Sequence, residues 1–255
     1  MVDAYGISNK GLVRKTNEDS FVCSVELGLF VVADGMGGHS AGEVASRLAI
    51  DAVEGFMRRS HGDSEFSWPY GIDPHLSLDG NRLRTAVNLA NRRVYRAAES
   101  HDDYGGMGTT VVGALVAGST MVVGHVGDSR LYRVRRGALE ILTQDDTWVA
   151  TVLAHDPDAD SAALAQHPMR HVLTSVVGAR EQVEVHMAEH PIEAGDTFML
   201  CSDGLHGLVD NGTIATLLSA TGPVPSMVAS LVQAALERGG NDNVTVVVVR
   251  CLSAD

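Results

Sequence analysis

The sequence predicts an α+β fold in which antiparallel strands build a β-sandwich and amphipathic helices lie outside it. Three observations carry this reading. Apolar, β-branched runs come in hairpin pairs: Phe21 to Val25 with Leu29 to Ala33, Thr109 to Val116 with Met121 to Val126, and Leu131 to Arg135 with Ala138 to Leu142. Two stretches between them switch to helical spacing. Strands also meet an aspartate beside Gly, Ser or Asn again and again, and ends of antiparallel neighbours share a sheet edge.

In chain order, Tyr5 to Asn9 reads as a short edge strand, followed by Gly11 to Ser20, where Arg14 precedes Asn17, Glu18 and Asp19. The run Leu29-Phe-Val-Val-Ala33 is a buried strand that stops at Asp34, with glycines at 35, 37 and 38. From Ser40 to Arg59, Val44, Leu48, Ala52, Val53 and Phe56 mark one apolar helix face. Ser60 to Ser77 is a loop in which Trp68-Pro69-Tyr70 reads as a packing anchor. Leu83, Ala86, Val87, Ala90, Val94 and Ala97 mark a second helix with arginines on its wet face. After the central strands comes Thr197 to Cys201, then two short helices over Ile214 to Ser219 and Ser226 to Arg238. Val244 to Val249 is the last strand.

Composition narrows the function. A chain of 255 residues with 45% hydrophobic content buries a large core, and residues 1–255 read as a single domain. Its formal charge of −13 argues against nucleic acid or an anionic membrane as a partner. No run approaches the roughly 18 to 20 apolar residues of a membrane span, and the N-terminus lacks a signal-peptide layout. With three cysteines, read as reduced thiols, this places the expected location in the cytoplasm. Neither lysine, Lys10 or Lys15, lies in a Walker A loop or kinase-type strand, and no cysteine opens a Cys-x5-Arg phosphate loop.

The aspartates hold the chemistry. Asp34, Asp128 and Asp203 follow apolar strands and Asp242 precedes one. Carboxylates ~4 Å apart repel by roughly 1 to 4 kcal/mol per pair, so a cluster of them shares protons or multivalent cations. An all-oxygen donor set favours Mg²⁺ or Mn²⁺ over zinc. Arg14 is either half of a surface ion pair or a fork for phosphate.

These residues resemble the metal-dependent (type 2C) serine/threonine protein phosphatases, in their bacterial branch. The matching motifs are Arg14 with Asn17-Glu18-Asp19, Asp34-Gly35-Met36-Gly37-Gly38-His39, Gly108-Thr109-Thr110, Gly127-Asp128-Ser129-Arg130, Ser202-Asp203-Gly204-Leu205 and Asp242-Asn243-Val244-Thr245. They stand in the family's order and span nearly the whole chain.

The resemblance implies a four-layer α-β-β-α sandwich of two antiparallel sheets flanked by helices. It also implies a centre of two Mn²⁺ or Mg²⁺ ions with a possible third. Asp34 bridges two ions, with the Gly35 carbonyl on one, while Asp203 and Asp242 hold the other. Glu18, with Asp19 as a second candidate, acts through bound water. Asp128, with Asp203, matches the third position, and Arg14 clamps the phosphate. A water activated between the ions attacks phosphorus in line, with His39 as a candidate general acid and a metal-bound water as the alternative donor.

Residues 143–174 resemble the family's flap. Asp146-Thr147 stands where many relatives have a histidine-serine pair, and Asp156, Asp158 and Asp160 leave the segment acidic. The expected activity is hydrolysis of phosphoserine and phosphothreonine on proteins by a monomer that opposes a bacterial serine/threonine kinase. The alternatives are a hydrolase of small phosphate esters and a phosphatase-like binding module without activity.

Overall fold

The computed structural model describes residues 1–38, 41–60, 68–156, 159–160, 163–164 and 166–252. In chain order the strands and helices are β1 (Val2–Asn9), β2 (Asp19–Ser24), β3 (Leu29–Met36), α1 (Ala41–Ser60) and α2 (Leu78–Ser100). Then come β4 (Gly108–Thr109), β5 (Val111–Ala117), β6 (Thr120–Val126), β7 (Arg130–Arg135), β8 (Ala138–Ile141) and α3 (Trp148–His155). The chain continues through β9 (His186–Pro191), β10 (Thr197–Cys201), α4 (Asp203–His206), α5 (Asn211–Leu218), α6 (Val224–Glu237) and β11 (Val244–Cys251).

The strands form two sheets. One runs β1-β11-β10-β7-β8 and the other β2-β3-β5-β6-β9, with β4 beside β3. The pairings within them are antiparallel. Side-chain alternation along β3 explains its unbroken apolar run. Leu29, Val31 and Ala33 pack under α1 and α2, while Phe30 and Val32 face the other sheet. The same division recurs on β11, where Val244, Val246 and Val248 meet the C-terminal helices and Val247 and Val249 enter the space between sheets. Both faces of each sheet are therefore covered, and each fully buried apolar side chain contributes roughly 1.5 to 3 kcal/mol. The result is the expected four-layer sandwich.

Local chemistry sets the helix starts. Ser77 caps α2 by accepting the Gly80 N–H, Thr147 caps α3 through the Ala150 N–H, and Asp210 caps α5 through the Thr213 N–H at 2.9 Å. Between β7 and β8, Arg136 and Gly137 both take positive φ, at 53° and 80°, which suits a two-residue hairpin.

Several elements depart from the sequence reading: helices α3 and α4 are absent from it, and β1 begins at Val2 instead of Tyr5. Strand β9 is absent from that reading because His-Met-Ala-Glu-His-Pro lacks an apolar run; it is an edge strand held by pairing with β6. Strand β3 does not stop at Asp34 but runs on to Met36, because Gly35 and Met36 pair with Thr109 and Gly108. His39, Asp158 and much of the 60–77 loop lie outside the described residues. Among those described, no helix is long and apolar enough to cross a membrane.

Candidate metal centre

At one end of the sandwich, a cleft of about 240 Å³ is lined by Arg14, Glu18, Asp34, Gly35, Asp128, His171, Asp203 and Asp242. Residues scattered over 229 positions of sequence thus share one space, and both sheets contribute. Asp34 comes from β3 and Asp128 from the turn after β6. Asp203 opens α4 directly after β10, and Asp242 lies just ahead of β11.

Each acid is held by its backbone. The Asp34 N–H donates to Thr110 Oγ1 at 3.0 Å, and its carbonyl accepts from the Thr110 N–H and the Thr109 hydroxyl, each at 2.8 Å. The Gly-Thr-Thr motif is therefore a clamp on Asp34. A Cβ on Gly35 would stand 2.0 Å from the Gly42 carbonyl oxygen, so only glycine lets β3 meet the start of α1. A Cβ on Gly204 would fall 1.9 Å from the Asn243 carbonyl oxygen, so the loops bearing Asp203 and Asp242 touch through a glycine.

Asn243 ties three segments together. Its Nδ2 donates to the carbonyls of Lys10 and Thr16, both at 2.9 Å, and its Oδ1 accepts the Glu18 N–H at 2.8 Å. Asp242 is thereby set against the loop that carries Arg14 and Glu18. His206 donates from Nε2 to the Asp128 carbonyl at 3.0 Å, and burial pushes its pKa down to about 4, so the ring is neutral.

Asp19 has a different station. It pairs across the ladder with Asp34 but is buried behind it, where Oδ2 accepts the hydroxyls of Thr245 at 2.6 Å and Ser202 at 2.8 Å. The roles of Thr110, Asn243 and His206 are missing from the sequence reading. The first two lie inside matched motifs, which was the available signal. His171 and Leu173 bring the flap to the cleft.

The flap is fastened beside Asp128. Arg130 donates from Nε and Nη2 to the two oxygens of Asp145, at 2.8 and 2.7 Å. Asp146 accepts the Gly127 N–H at 2.8 Å and bonds His186 Nε2 at 3.0 Å.

The electrostatics favour a cation. Burial, then neighbouring acids, holds the Asp34 carboxyl well above its ordinary pKa; the same causes raise Asp128 to about 7 and also raise Asp203. Burial also raises Asp19 to about 7. One oxygen of Asp203 and one of Asp19, both Oδ1, are buried without a hydrogen-bond partner. Among the described residues, no three His, Cys, Asp or Glu side chains are already drawn into a closed ligand set. Asp242 binds the Arg14 guanidinium at 2.6 Å. Orphaned carboxylate oxygens among repelling acids, all of them hard donors, fit divalent Mn²⁺ or Mg²⁺.

The layered sandwich with an acidic, all-oxygen centre between its sheets defines a metal-binding α-β-β-α protein. The chain belongs to the protein phosphatase 2C family, whose description matches residues 13–243. It is 38% identical over 251 residues to the serine/threonine protein phosphatase PstP of Mycobacterium tuberculosis, covering 97% of this chain and 45% of that protein. It thus spans about half the length of that relative. It is 32% identical to the serine/threonine phosphatase stp of Listeria monocytogenes over 95% of this chain and 93% of that one. A crystal structure of the PstP catalytic domain in complex with two manganese ions superposes with a TM-score of 0.82 at 33% identity, covering 99% of both chains.

Proposed function

We propose that this chain is a metal-dependent protein phosphatase that hydrolyses phosphoserine and phosphothreonine on proteins and opposes a cognate serine/threonine kinase. The observation that carries this is the meeting of Asp34, Asp128, Asp203 and Asp242 with Arg14 in one cleft. The named phosphatase relatives and the two manganese ions of PstP support it.

Asp34, the Gly35 carbonyl, Asp203 and Asp242 would hold two Mn²⁺ or Mg²⁺ ions, with Glu18 reaching them through water and Asp128 available to a third. Bound divalent ions there supply Lewis-acid activation of water and neutralise phosphate charge. Arg14 supplies the planar, always-charged fork that matches two phosphate oxygens. The same guanidinium then has two partners to choose between, Asp242 and the substrate. Thr109 and Thr110 keep the Asp34 backbone fixed, so the position of its carboxylate is set before substrate arrives. Asp19, behind Asp34, adds negative charge to the centre without occupying the cleft. His39 stands next to this loop in sequence and is retained as the candidate proton donor to the leaving serine or threonine oxygen. The chain is proposed to act as a cytoplasmic monomer.

Phosphate release tests the reading. A phosphothreonine peptide should be hydrolysed with added Mn²⁺ and not with EDTA. A higher kcat/KM on nucleotides or sugar phosphates would make the small-ester alternative the correct one, and no turnover of any ester would leave the binding module.

A further inference from the structure

Helices α1 and α2 lie side by side on the outer face, and a groove of about 430 Å³ runs between them, away from the metal cleft. Its lining contains four arginines: Arg59 from α1, and Arg92, Arg93 and Arg96 from α2. On α2 these follow Leu89 at helical spacing (three, four and seven residues on), so they form one stripe. All four are exposed, and none forms an ion pair with another described residue. Their neighbours behave otherwise: Arg47 and Arg58 are each bonded to a glutamate one turn back, at 2.6 and 2.8 Å. Asp51 is the one carboxylate in the lining. In a chain of net charge −13, four guanidiniums together, with no ion-pair partner among the described residues, make a local cationic site with ready attraction for an anion.

The shape and surroundings choose among anions. Ala52 and Leu89 give the groove an apolar floor. Of the exposed large apolar residues, none is on α1 and only Leu78, far along the helix, is on α2, so among the described residues these helices offer nothing to insert into a lipid surface. A long nucleic acid would meet the acidic remainder of the protein beyond the arginines. A short peptide bearing phosphate satisfies both requirements: the phosphate takes bidentate guanidinium bonds and the peptide lies on the floor.

We propose that this groove binds a second phosphorylated residue of the protein substrate, outside the residue being hydrolysed. The proposal rests on the phosphatase reading above. The distance sets the register. Gly42, at the start of α1, adjoins Gly35 of the metal cleft. At 1.5 Å per residue, Asp51 and Arg59 lie about 14 and 26 Å further along the helix. An extended peptide covers that in roughly four to eight residues.

The test uses two peptides of one sequence, one with a single phosphothreonine and one with a second phosphothreonine eight residues away. With Mn²⁺, the wild type should show a KM about tenfold lower for the doubly phosphorylated peptide, equivalent to about 1.4 kcal/mol. Replacing Arg92, Arg93 and Arg96 together by Ser should erase that difference while leaving kcat, and turnover of p-nitrophenyl phosphate, unchanged. Replacement by Lys should restore part of it. Fluorescence anisotropy of the same peptides on the Asp34→Asn chain gives a readout without turnover. If wild type hydrolyses no phosphoester, the phosphatase reading fails, and anisotropy alone decides the groove. Equal KM and equal binding for the two peptides in wild type would overturn the proposal. So would arginine-dependent sedimentation with phosphatidylserine vesicles in the absence of any peptide preference, which would make the partner a membrane.

Discussion

Arg14 and Asp242, 228 positions apart in sequence, are joined by a hydrogen bond of 2.6 Å across the mouth of the cleft. The bond pulls the Arg14 pKa upward and holds a candidate phosphate clamp against a candidate metal ligand. Each has a second partner to turn to once cation and phosphate are bound.

Replacing Arg14 by Ala should therefore act mainly on substrate binding. We expect kcat/KM to fall about 10- to 100-fold, chiefly through KM, since two charge-assisted hydrogen bonds to phosphate are lost. Arg14→Lys should recover part of this, because it keeps the charge but not the fork. Steady-state kinetics on a phosphopeptide reads both.

Cation binding should appear as stability. At 100 times its dissociation constant, Mn²⁺ stabilises the native chain by about 2.7 kcal/mol, and for a chain of this size that raises Tm by roughly 5 to 10 °C. Asp34→Asn and Asp203→Asn should lose both the shift and the activity. An unchanged shift in either variant, measured by differential scanning fluorimetry, would remove that residue from the centre.

Asp146 bears on Asp128 through the Gly127 N–H it accepts. Truncating it to Ala orphans that N–H and frees His186, at a cost of about 1 to 3 kcal/mol. Asp146→Asn keeps an acceptor and should retain most of the stability. Urea unfolding of the two variants separates lost hydrogen bonding from lost charge.

On the far side of the molecule, Asp196 accepts two bonds from Arg135, at 2.8 and 2.6 Å, and the Glu193 N–H at 2.8 Å, with its side chain almost fully buried. Burial alone would raise its pKa; the Arg135 bonds outweigh this and hold it below the ordinary carboxylate range. A lowered folded-state pKa stabilises the protein above the unfolded value of about 3.9 and is lost as pH falls through the folded one. Asp196→Asn should cost about 1 to 3 kcal/mol at pH 7. The gap to wild type should close below about pH 4. A gap that stays constant from pH 7 to 3 would refute the ionic origin.

Much of this was readable in the residues. Leu29 to Ala33 and Val244 to Val249 show as strands because both faces of each are covered. Asp242 stands just ahead of its strand as read, while Asp34 lies inside β3, which runs on to Met36. Strand β9 left no signal, since its place is set by pairing with β6 and not by its own polarity. The supporting roles of Thr110 and Asn243 were also hidden. They bond backbone groups more than 70 and more than 220 positions away, and nothing local reports a partner so remote. Asp19 illustrates a further limit. Glu18 lines the cleft from the loop ahead of β2, whereas Asp19, the first residue of β2, is buried and bonds Thr245 and Ser202.

The placement of β11 between β1 and β10 has a consequence for biosynthesis. During translation, Asp34 leaves the ribosome well before Asp242, and the gap in the middle of the first sheet stays open until β11 slots in. A half-made chain thus carries some of the acids but no assembled centre. The acids come together as one centre only once β11 has taken its place between β1 and β10.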